Sequence, residues 1–388
     1  MKILYITPSL PNDFSRIRTK NILKSLKNSG HEITLISLYS SQKDLIYLDE
    51  TNEIVNETIL VKQNKLTSMI KCLFGLFLPK PLRVSYVNSN QLHKKLKGMS
   101  NDFDFVYIKR LRMSQYAKHF LKEKVYIDIT DSLTKYYDRV RKKTRMLKRM
   151  LNEEEFIKHK MYEQKIVMNY NTVICSEEDK KYLQKLCGNE LKNMTVIDNT
   201  IDTKEWLVEA PKISSKTQRR KIVFSGMMDY EPNILATKFF MQEIHPLLPT
   251  EYEITFVGKN CSEELKEYES ERVKFTGYVE DMREELKKHD IYICPIVAGS
   301  GVKNKILQAS CVGLPIISSD LGVEGLSEEV RKNIFIANNP SDYINAIKQI
   351  NNMESEELQK IVDKQQKLIR KKYDLNIGVG NLVKKVMK

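Results

Sequence analysis

The stretch from Ile291 to Leu326 combines small, cationic and apolar residues in an order that suits anion binding. A short apolar run, typical of a buried strand, ends at Pro295, and a small-residue loop and an amphipathic helix follow it. Glycines let backbone N–H groups approach an anion, and the N-terminus of a helix favours negative charge. Lys303 and Lys305 fall in the first turn of that helix, where the helix dipole otherwise disfavours cations. We therefore predict a phosphate-binding loop here.

A second loop of the same character begins at Gly226, directly after the apolar strand Lys221–Ser225. A glycine after a strand is a weak signal by itself, because it more often marks an ordinary turn. Gly277-Tyr278-Val279 closes a third strand. The carboxyl ends of parallel strands meet at one edge of a sheet, so these loops together predict a nucleotide site. We expect the base near residues 277–279 and the phosphates near Gly226 and residues 301–305.

In the first half of the chain, Asp128 and Asp131 lie at the carboxyl end of a predicted strand, Val125–Ile129. A parallel sheet places its ligands at that end, so the two carboxylates could orient a substrate. The residues alone leave open the alternative that they cap a turn. The histidines look structural, and no His-rich or carboxylate cluster indicates a required metal. Neither a G-x-G-x-x-G nor a G-x-x-x-x-G-K-[ST] motif is present, which disfavours dehydrogenases and P-loop enzymes.

The elements that must position these residues form two α/β units of similar size. Strand, helix and strand follow one another within the first forty residues, which indicates a parallel sheet. The pattern restarts at Lys221 after a polar segment. We predict a first domain at 1–206, a linker at 207–220, a second domain at 221–370 and a final helix at 371–388. Two doubly wound, Rossmann-like units with facing sheet edges predict a cleft that holds two ligands.

Composition narrows the class of protein. The chain has 388 residues, of which 41% are hydrophobic, and no apolar run approaches the length of a membrane span. The N-terminus reads as a first strand, which predicts no signal peptide and a cytoplasmic location. The six cysteines form no C-x-x-C pair, so neither a zinc site nor a disulfide framework is indicated.

The positive charge is concentrated in the first half. Residues 1–205 carry 37 Lys and Arg against 24 Asp and Glu, a balance of +13, whereas the remainder carries 27 against 26, a balance of +1. This asymmetry predicts an anionic partner: nucleic acid, acidic lipid head groups or an anionic glycan. The alternative is a general lysine enrichment of the genome. The basic segment 139–149 is either a solvated helix or part of such a surface.

The apolar segment Leu66–Leu78, flanked by lysines, is too short to span a bilayer. Its pattern leaves two interpretations open. It is either a core helix or an interfacial helix that dips into a membrane or contacts a lipid-linked ligand.

Taken together, these segments resemble the family 4 glycosyltransferases, which are retaining, nucleotide-sugar-dependent enzymes of the GT-B fold, and in particular those that build bacterial capsule and exopolysaccharide. The resemblance covers nearly the whole chain and is most specific in its last block. Its motifs are Thr7-Pro8 to Arg18, Asp128-x-x-Asp131-Ser132 with Tyr162-Glu163, Ser225 to Asn233, Gly277-Tyr278-Val279-x-Asp281, and Gly299 to Leu326.

The resemblance implies a donor site in the second domain, an acceptor site in the first, and a C-terminal helix that crosses back to the first domain. It further implies metal-independent transfer of a hexose with no cofactor beyond the nucleotide-diphosphate sugar. The catalytic residues would be Lys303, Lys305 and Asp131. The substrate-binding residues would be Gly226, Met227, Asn233, Gly277, Tyr278, Val279, Gly301, Val302, Gln308, Asp128 and Arg18.

The chain departs from the family pattern at several positions. Ser300 and Gln308 occupy the places where most members have two glutamates, and the Arg/Lys pair that commonly follows the Gly226 loop is missing. Lys303 and Lys305 would take over the neutralisation of the phosphates. The expected partners are a nucleotide sugar, a glycan or lipid-linked acceptor and an anionic membrane surface contacted by the basic domain, with no nucleic acid. The location would be cytoplasmic and peripheral at the membrane.

Two alternatives remain open at this stage. The first is a glycosyltransferase-like subunit without catalysis that binds a partner transferase, which the absent glutamates favour. The second is a nucleotide-sugar 2-epimerase on the same fold, although the catalytic carboxylates that such an enzyme usually carries have no clear counterpart in this sequence.

Overall fold

The computed structural model describes residues 1–12, 16–99, 102–142, 146–188, 191, 193–207, 220–299 and 304–386. The chain divides into two compact units. The first comprises Met1–Asp198 and Gly378–Lys388, and the second comprises Asn199–Ile377. The predicted linker lies outside the described residues except for its end positions, 207 and 220.

The first unit is built on a parallel sheet of seven strands among its described residues, in the order β3-β2-β1-β4-β5-β6-β7. The strands are β1 (Lys2–Thr7), β2 (Glu32–Tyr39), β3 (Glu57–Lys62), β4 (Phe105–Lys109), β5 (Val125–Thr130), β6 (Asn171–Ile174) and β7 (Met194–Val196). The helices are α1 (Ile17–Asn28), α2 (Leu48–Ile54), α3 (Lys65–Gly75), α4 (Leu82–Tyr86), α5 (Asn90–Lys97), α6 (Leu133–Arg141), α7 (Met146–Asn169) and α8 (Glu177–Leu186).

The central strands of this sheet carry buried apolar side chains on both faces because both faces are covered. In β1, Ile3 and Tyr5 belong to one buried cluster, whereas Leu4 and Ile6 belong to the other. Successive side chains of a strand point to opposite faces, so continuous apolar runs are the signature of a sheet packed on both sides. Short 3₁₀ helices at Gln42–Tyr47, Leu111–His119 and Lys122–Lys124 complete the connections.

The second unit repeats this plan with a parallel sheet of six strands, again among the described residues, in the order β10-β9-β8-β11-β12-β13. The strands are β8 (Lys221–Ser225), β9 (Glu253–Val257), β10 (Val273–Gly277), β11 (Ile291–Cys294), β12 (Ile316–Ser318) and β13 (Phe335–Ile336). The helices are α9 (Thr203–Trp206), α10 (Glu231–Phe239), α11 (Glu263–Lys266), α12 (Met282–Leu286), α13 (Asn304–Val312), α14 (Glu328–Arg331), α15 (Pro340–Asn352), α16 (Ser355–Tyr373) and α17 (Leu375–Val386).

The prediction of two doubly wound α/β units is therefore confirmed. Helix α10 ends earlier than the sequence pattern indicates, because a π-helical turn at Phe240–Ile244 and a 3₁₀ turn at His245–Leu247 continue it. The chain re-enters the first unit within α17, where Leu382 is buried in a core cluster of that unit. No helix in the described part of the chain is long and apolar enough to cross a bilayer.

The core interpretation of the segment Leu66–Leu78 is wrong. Within α3 only Ser68 and Gly75 are buried, whereas its large apolar side chains face outward. Phe77, just beyond the helix, is 89% exposed. The segment is amphipathic, but the polar side is the one that packs against the unit.

Candidate functional site

The carboxyl ends of β8 and β9 approach each other through two glycines. Gly226 has φ 153° and Gly258 has φ 152°, a backbone conformation that side chains other than glycine rarely adopt. A Cβ placed on Gly258 would lie 1.7 Å from the carbonyl oxygen of Gly226. The backbones of the two loops therefore touch, which only two glycines allow.

Lys305 and Asn233 meet at Gly226. The ammonium of Lys305 donates to Oδ1 of Asn233 over 2.7 Å, and Nδ2 of Asn233 donates to the carbonyl of Met227 over 2.8 Å. A Cβ on Gly226 would lie 2.9 Å from Nζ of Lys305. The same ammonium is 4.0 Å from the ring centroid of Phe224. The structure thus brings together three of the predicted donor-site residues, Gly226, Asn233 and Lys305, with Met227 beside them.

Helix α13 carries Lys305 in its first turn. Ile306, Leu307, Ala309 and Cys311 are buried, and Gln308 is half-buried. Lys305 and Gln308 are three positions apart, so they are neighbours along one side of the helix. The predicted phosphate-binding residues Gly301, Val302 and Lys303, together with Ser300, lie outside the described residues.

The predicted base-binding segment lies at the end of the edge strand β10. Gly277 has φ 69°, Tyr278 is exposed and Val279 is half-buried. The ammonium of Lys259 is 4.0 Å from the ring centroid of Tyr278. Since β8, β9, β10 and β11 are parallel, the loops at Gly226, Gly258, Gly277 and the start of α13 share one edge of the sheet.

Sequence reasoning missed the loop after β9. Gly258, Lys259 and Asn260 follow that strand directly, and Nδ2 of Asn260 donates to Asp229 over 2.8 Å. The available signal was the glycine after a strand, the same signal that selected Gly226. Arg110, Thr130 and Asn260 are the non-glycine residues with positive φ in the described part of the chain, and all three stand at or just after the carboxyl end of a strand.

In the first unit, Asp128 is the centre of a buried polar network. Its Oδ2 accepts from Arg18 Nε over 3.1 Å, Tyr107 Oη over 2.7 Å and Lys109 Nζ over 2.8 Å. Its Oδ1 accepts from Thr130, whose φ is 69°. The network fixes the backbone at the end of β5, where a β-branched residue adopts a disfavoured conformation.

The charges in this network are matched by two cations. Burial alone would raise the pKa of Asp128, but the charges of Arg18 and Lys109 hold it well below its ordinary value. Burial lowers the pKa of Lys109 to about 7, against the attraction of Asp128. Asp128 is fully buried and Arg18 is 6% exposed, so their contacts are with the protein itself. This placement suits residues that position the loop rather than residues that touch a ligand.

Asp131 lies beyond the network and is half-buried. Its Oδ1 accepts from the thiol of Cys175 over 2.8 Å. Burial raises the pKa of the Cys175 thiol, and the neighbouring Asp131 charge raises it further, so the thiol stays protonated and can donate. Of the two predicted acceptor-side carboxylates, Asp131 is the one with surface left for a substrate.

Two buried carboxyl groups, those of Glu163 and Asp179, accept hydrogen bonds from the first turn of helix α6, which follows Asp131. Glu163 accepts from Ser132 Oγ and from the backbone N–H groups of Leu133 and Thr134. Asp179 accepts from the Ser132 N–H over 3.3 Å and from Lys135 Nζ over 2.6 Å. Free N–H groups at a helix start need acceptors, and carboxylates there also suit the helix dipole.

No group of three or more His, Cys, Asp or Glu side chains that could hold a metal ion occurs in the part of the chain that the structure describes.

Each unit is a doubly wound α/β fold on a parallel sheet, and the second carries ligand-type loops at the carboxyl edge of its sheet. This is the architecture of the GT-B class of glycosyltransferase folds. Residues 219–352 match the family model described as Glycosyl transferases group 1. This match falls within the second unit and confirms the predicted resemblance to glycosyltransferases.

Relatives agree with this assignment. An uncharacterised 44.6 kDa protein in the cps region of Klebsiella pneumoniae is 24% identical over 369 residues, which are 87% of each chain. The sucrose-phosphate synthase of Thermosynechococcus elongatus is 12% identical and superposes with a TM-score of 0.71 over 100% of this chain and 99% of that one. The Anabaena protein HepE, solved in complex with UDP and glucose, is 13% identical, with a TM-score of 0.65 over 100% and 99%. At these identities the solved structures show the fold.

Proposed function

We propose that this chain is a retaining glycosyltransferase that moves a hexose from a nucleotide-diphosphate sugar to a glycan or lipid-linked acceptor in bacterial surface polysaccharide synthesis. The observation that carries the proposal is the contact of Lys305 with Asn233 beside the Gly226 backbone, at the carboxyl edge of a sheet. Anabaena HepE binds UDP and glucose on a fold of this kind, and the Klebsiella relative is in a cps region, which supports the polysaccharide assignment.

In the proposed donor site, Lys305 and Lys303 stabilise the negative charge that develops on the leaving diphosphate. The backbones of Gly226, Met227, Gly301 and Val302 approach the phosphates, and Asn233 holds the Lys305 ammonium in place. Gln308 accepts from the ribose hydroxyls through its amide oxygen. The segment of Gly277, Tyr278 and Val279 holds the base.

The proposed step needs no protein nucleophile and no metal. The bond from the anomeric carbon to the phosphate oxygen breaks, and a bond from that carbon to the acceptor oxygen forms on the same face. The acceptor proton passes to the leaving phosphate. In the first unit Asp131 orients the acceptor, while Asp128 and Arg18 hold the loop that carries it.

Nucleotide binding by the full-length chain tests the donor site. A thermal-shift screen against UDP, GDP, ADP, CMP and their sugars should identify one nucleotide, because a ligand of the folded state raises its stability. Lys305→Met should lower the affinity for that nucleotide by at least about tenfold, since it removes a charge-assisted contact. Lys332→Met, at an exposed lysine of the same unit, is the control. Equal affinity in both variants would contradict the assigned role of Lys305.

Turnover decides between the proposal and its alternatives. A retaining transferase gives a product with the donor's anomeric configuration, measurable by NMR, and keeps its activity in EDTA. Release of free nucleotide with a 2-epimerised sugar would instead indicate an epimerase. Nucleotide binding without turnover on any donor and acceptor would indicate a binding subunit of a partner transferase.

We also propose that α3 docks the chain on an anionic membrane surface, at the inner face of the cell membrane. Leu66, Met69, Leu73 and Phe74 are each more than 60% exposed along this helix. Lysines flank this helix in the sequence, and Lys62, Lys65 and Lys80 are exposed. An apolar face bordered by cations matches the apolar interior and anionic head groups of such a membrane.

Vesicle flotation tests the docking proposal. The wild-type chain should bind vesicles that contain phosphatidylglycerol better than vesicles of phosphatidylcholine alone. Replacing both Leu73 and Phe74 by serine should abolish the binding, whereas the same change at the exposed residues Met161 and Met168 of α7 should not. Equal binding to the two vesicle types would overturn the proposal.

A further inference from the structure

Four arginines gather at the carboxyl ends of β1 and β4 in the first unit. Arg16 immediately precedes α1 in the connection from β1, and Arg110 and Arg112 follow β4. Strands β1 and β4 are paired in parallel, so their carboxyl ends lie side by side. Arg83 belongs to α4, which packs against the 3₁₀ helix Leu111–His119 that carries Arg112; Nε2 of Gln115 donates to the carbonyl of Val84 over 2.8 Å.

Within the part of the chain that the structure describes, three of these arginines have no acidic partner. Among the described residues, Arg83, Arg110 and Arg112 form no ion pair and donate no side-chain hydrogen bond. Nε of Arg112 is buried without a hydrogen-bond partner. Arg83 is nevertheless exposed, and Arg110 and Arg112 are half-buried, so a small ligand can reach the group.

The described carboxylates near these arginines have other hydrogen-bond donors. Asp44, whose charge acts on Arg16, accepts from Ser40 and Ser41. Burial raises the pKa of the Glu155 carboxyl group and the charge of Arg83 opposes that rise; the group accepts from the Leu82 N–H over 3.1 Å. The charge of Asp128 is matched by Arg18 and Lys109.

The arrangement is costly without a ligand. Burial, and then repulsion from Arg110, Arg83 and Arg16, lowers the pKa of Arg112. Arg110 adopts φ 77° and is held there by its N–H, which donates to the Asp128 carbonyl over 2.7 Å. A non-glycine residue in such a conformation is strained, and strained residues are typically found at functional sites. Like charges that gather at the carboxyl edge of a parallel sheet indicate an anionic ligand that offsets their repulsion.

We propose that Arg83, Arg110 and Arg112 bind the phosphate or diphosphate group of the acceptor substrate. The proposal rests on the function proposed above, because it presupposes that the first unit binds an acceptor. Guanidinium groups present paired N–H donors whose geometry matches phosphate oxygens, and a group of three suits a ligand that carries more than one charge. The acceptor is then a phosphorylated or diphosphate-linked molecule rather than a neutral glycan.

Calorimetric titration with inorganic pyrophosphate tests this site. It is performed on the full-length Lys305→Met chain, so that the donor site contributes little. Adding Arg112→Met should lower the affinity for pyrophosphate by at least about tenfold, since a charge-assisted contact is lost. Adding Arg149→Met, at an exposed arginine of α7, should leave the affinity unchanged. Equal affinities in the three chains would overturn the proposal.

Thermal stability separates a binding role from a structural one. Without ligand, Arg112→Met should unfold at the same temperature as the wild type or higher, because repulsion is relieved. Arg110→Gly removes the guanidinium, accepts the backbone conformation of that position and should also lose pyrophosphate binding. If both variants unfold at lower temperature and still bind pyrophosphate like the wild type, the arginines are structural and the proposal fails.

Two further arms identify the source of the phosphate. If Arg112 is needed for binding to soluble pyrophosphate but not for binding to vesicles, the acceptor is soluble. If Arg112 is also needed for flotation with vesicles of phosphatidylcholine and phosphatidic acid, the acceptor is lipid-linked. Binding to neither refutes the site. Nucleotide binding by Arg112→Met should equal that of the wild type, so failure of the donor site and failure of this site are distinguished.

Discussion

Glu163 is a fully buried carboxyl group that holds the first turn of α6 in place. It accepts hydrogen bonds from Ser132, Leu133 and Thr134, next to the candidate acceptor residue Asp131. Burial raises its pKa from about 4.5 to about 7. The raised pKa arises because a low-dielectric surrounding disfavours the charged form more than the three donors favour it.

The pH dependence of stability should reveal this group. Between the unfolded pKa and the folded pKa, the folded chain binds one more proton than the unfolded chain. The contribution of Glu163 is therefore largest at low pH and is lost as the pH rises through about 7. The melting temperature of Glu163→Gln minus that of the wild type should therefore increase as the pH rises from about 5 to about 8.

The control for this measurement is Glu123→Gln, at an exposed carboxyl group of the same unit. Its melting temperature should follow that of the wild type at both pH values. An offset between Glu163→Gln and the wild type that does not change with pH would contradict the assigned pKa.

At the scale of secondary structure, α3 is held by polar contacts and leaves its apolar side open. Nζ of Lys158, on α7, donates to the carbonyls of Gly75 and Leu76 over 3.0 and 2.9 Å. Ser68 Oγ accepts from Gln63, and Lys71 donates to the Asn88 carbonyl. The helix is thus fixed through its backbone and polar side chains, and its apolar face is free to contact a membrane.

Lys158 should determine the stability of the end of α3. The last carbonyls of a helix lack partners within the helix, so an ammonium there replaces missing donors. Lys158→Met should therefore speed amide hydrogen exchange at the end of α3, measured by mass spectrometry. Lys160→Met, at an exposed lysine of the same helix, should leave that exchange unchanged. Unchanged exchange in Lys158→Met would show that these two hydrogen bonds do not hold the helix end.

At the scale of the whole chain, the two units are linked by the last helix. Leu382 of α17 is 1% exposed within a core cluster of the first unit, although α17 begins in the second. The single tryptophan, Trp206, belongs to the second unit. Its fluorescence therefore reports on the second unit alone.

Leu382→Ala should destabilise the first unit by about 2–5 kcal/mol, because a buried leucine is replaced by a cavity. Amide exchange in β1 and β2 should accelerate, whereas the denaturation midpoint reported by Trp206 fluorescence should stay close to that of the wild type. Ile377→Ala, at an exposed position of the same helix, is the control. If faster exchange in β1 and β2 is accompanied by an equal loss of stability reported by Trp206 fluorescence, the two units unfold as one.

The sequence determined the layer architecture and several residues of the proposed donor site. Continuous apolar strands alternating with amphipathic helices specify parallel sheets covered on both faces, and β8 has the predicted bounds. Gly226 and Lys305 are predicted because a small residue after a strand and a cation at a helix start are local signals, whereas Asn233 is predicted only by the family resemblance. The strands and helices and these loop residues can be predicted from a short segment of sequence, because each depends on residues that are near neighbours in the chain.

Only the tertiary structure decided which side of α3 faces outward, because the apolar content of Leu66–Leu78 suits a core helix and a membrane-facing helix equally well. It also decided that Asp128 is enclosed by Arg18, Tyr107 and Lys109, and that Gly258 touches Gly226. The arginines at 83, 110 and 112 are dispersed in sequence, and their grouping depends on strand order. Such contacts join residues distant along the chain, and no local pattern records them.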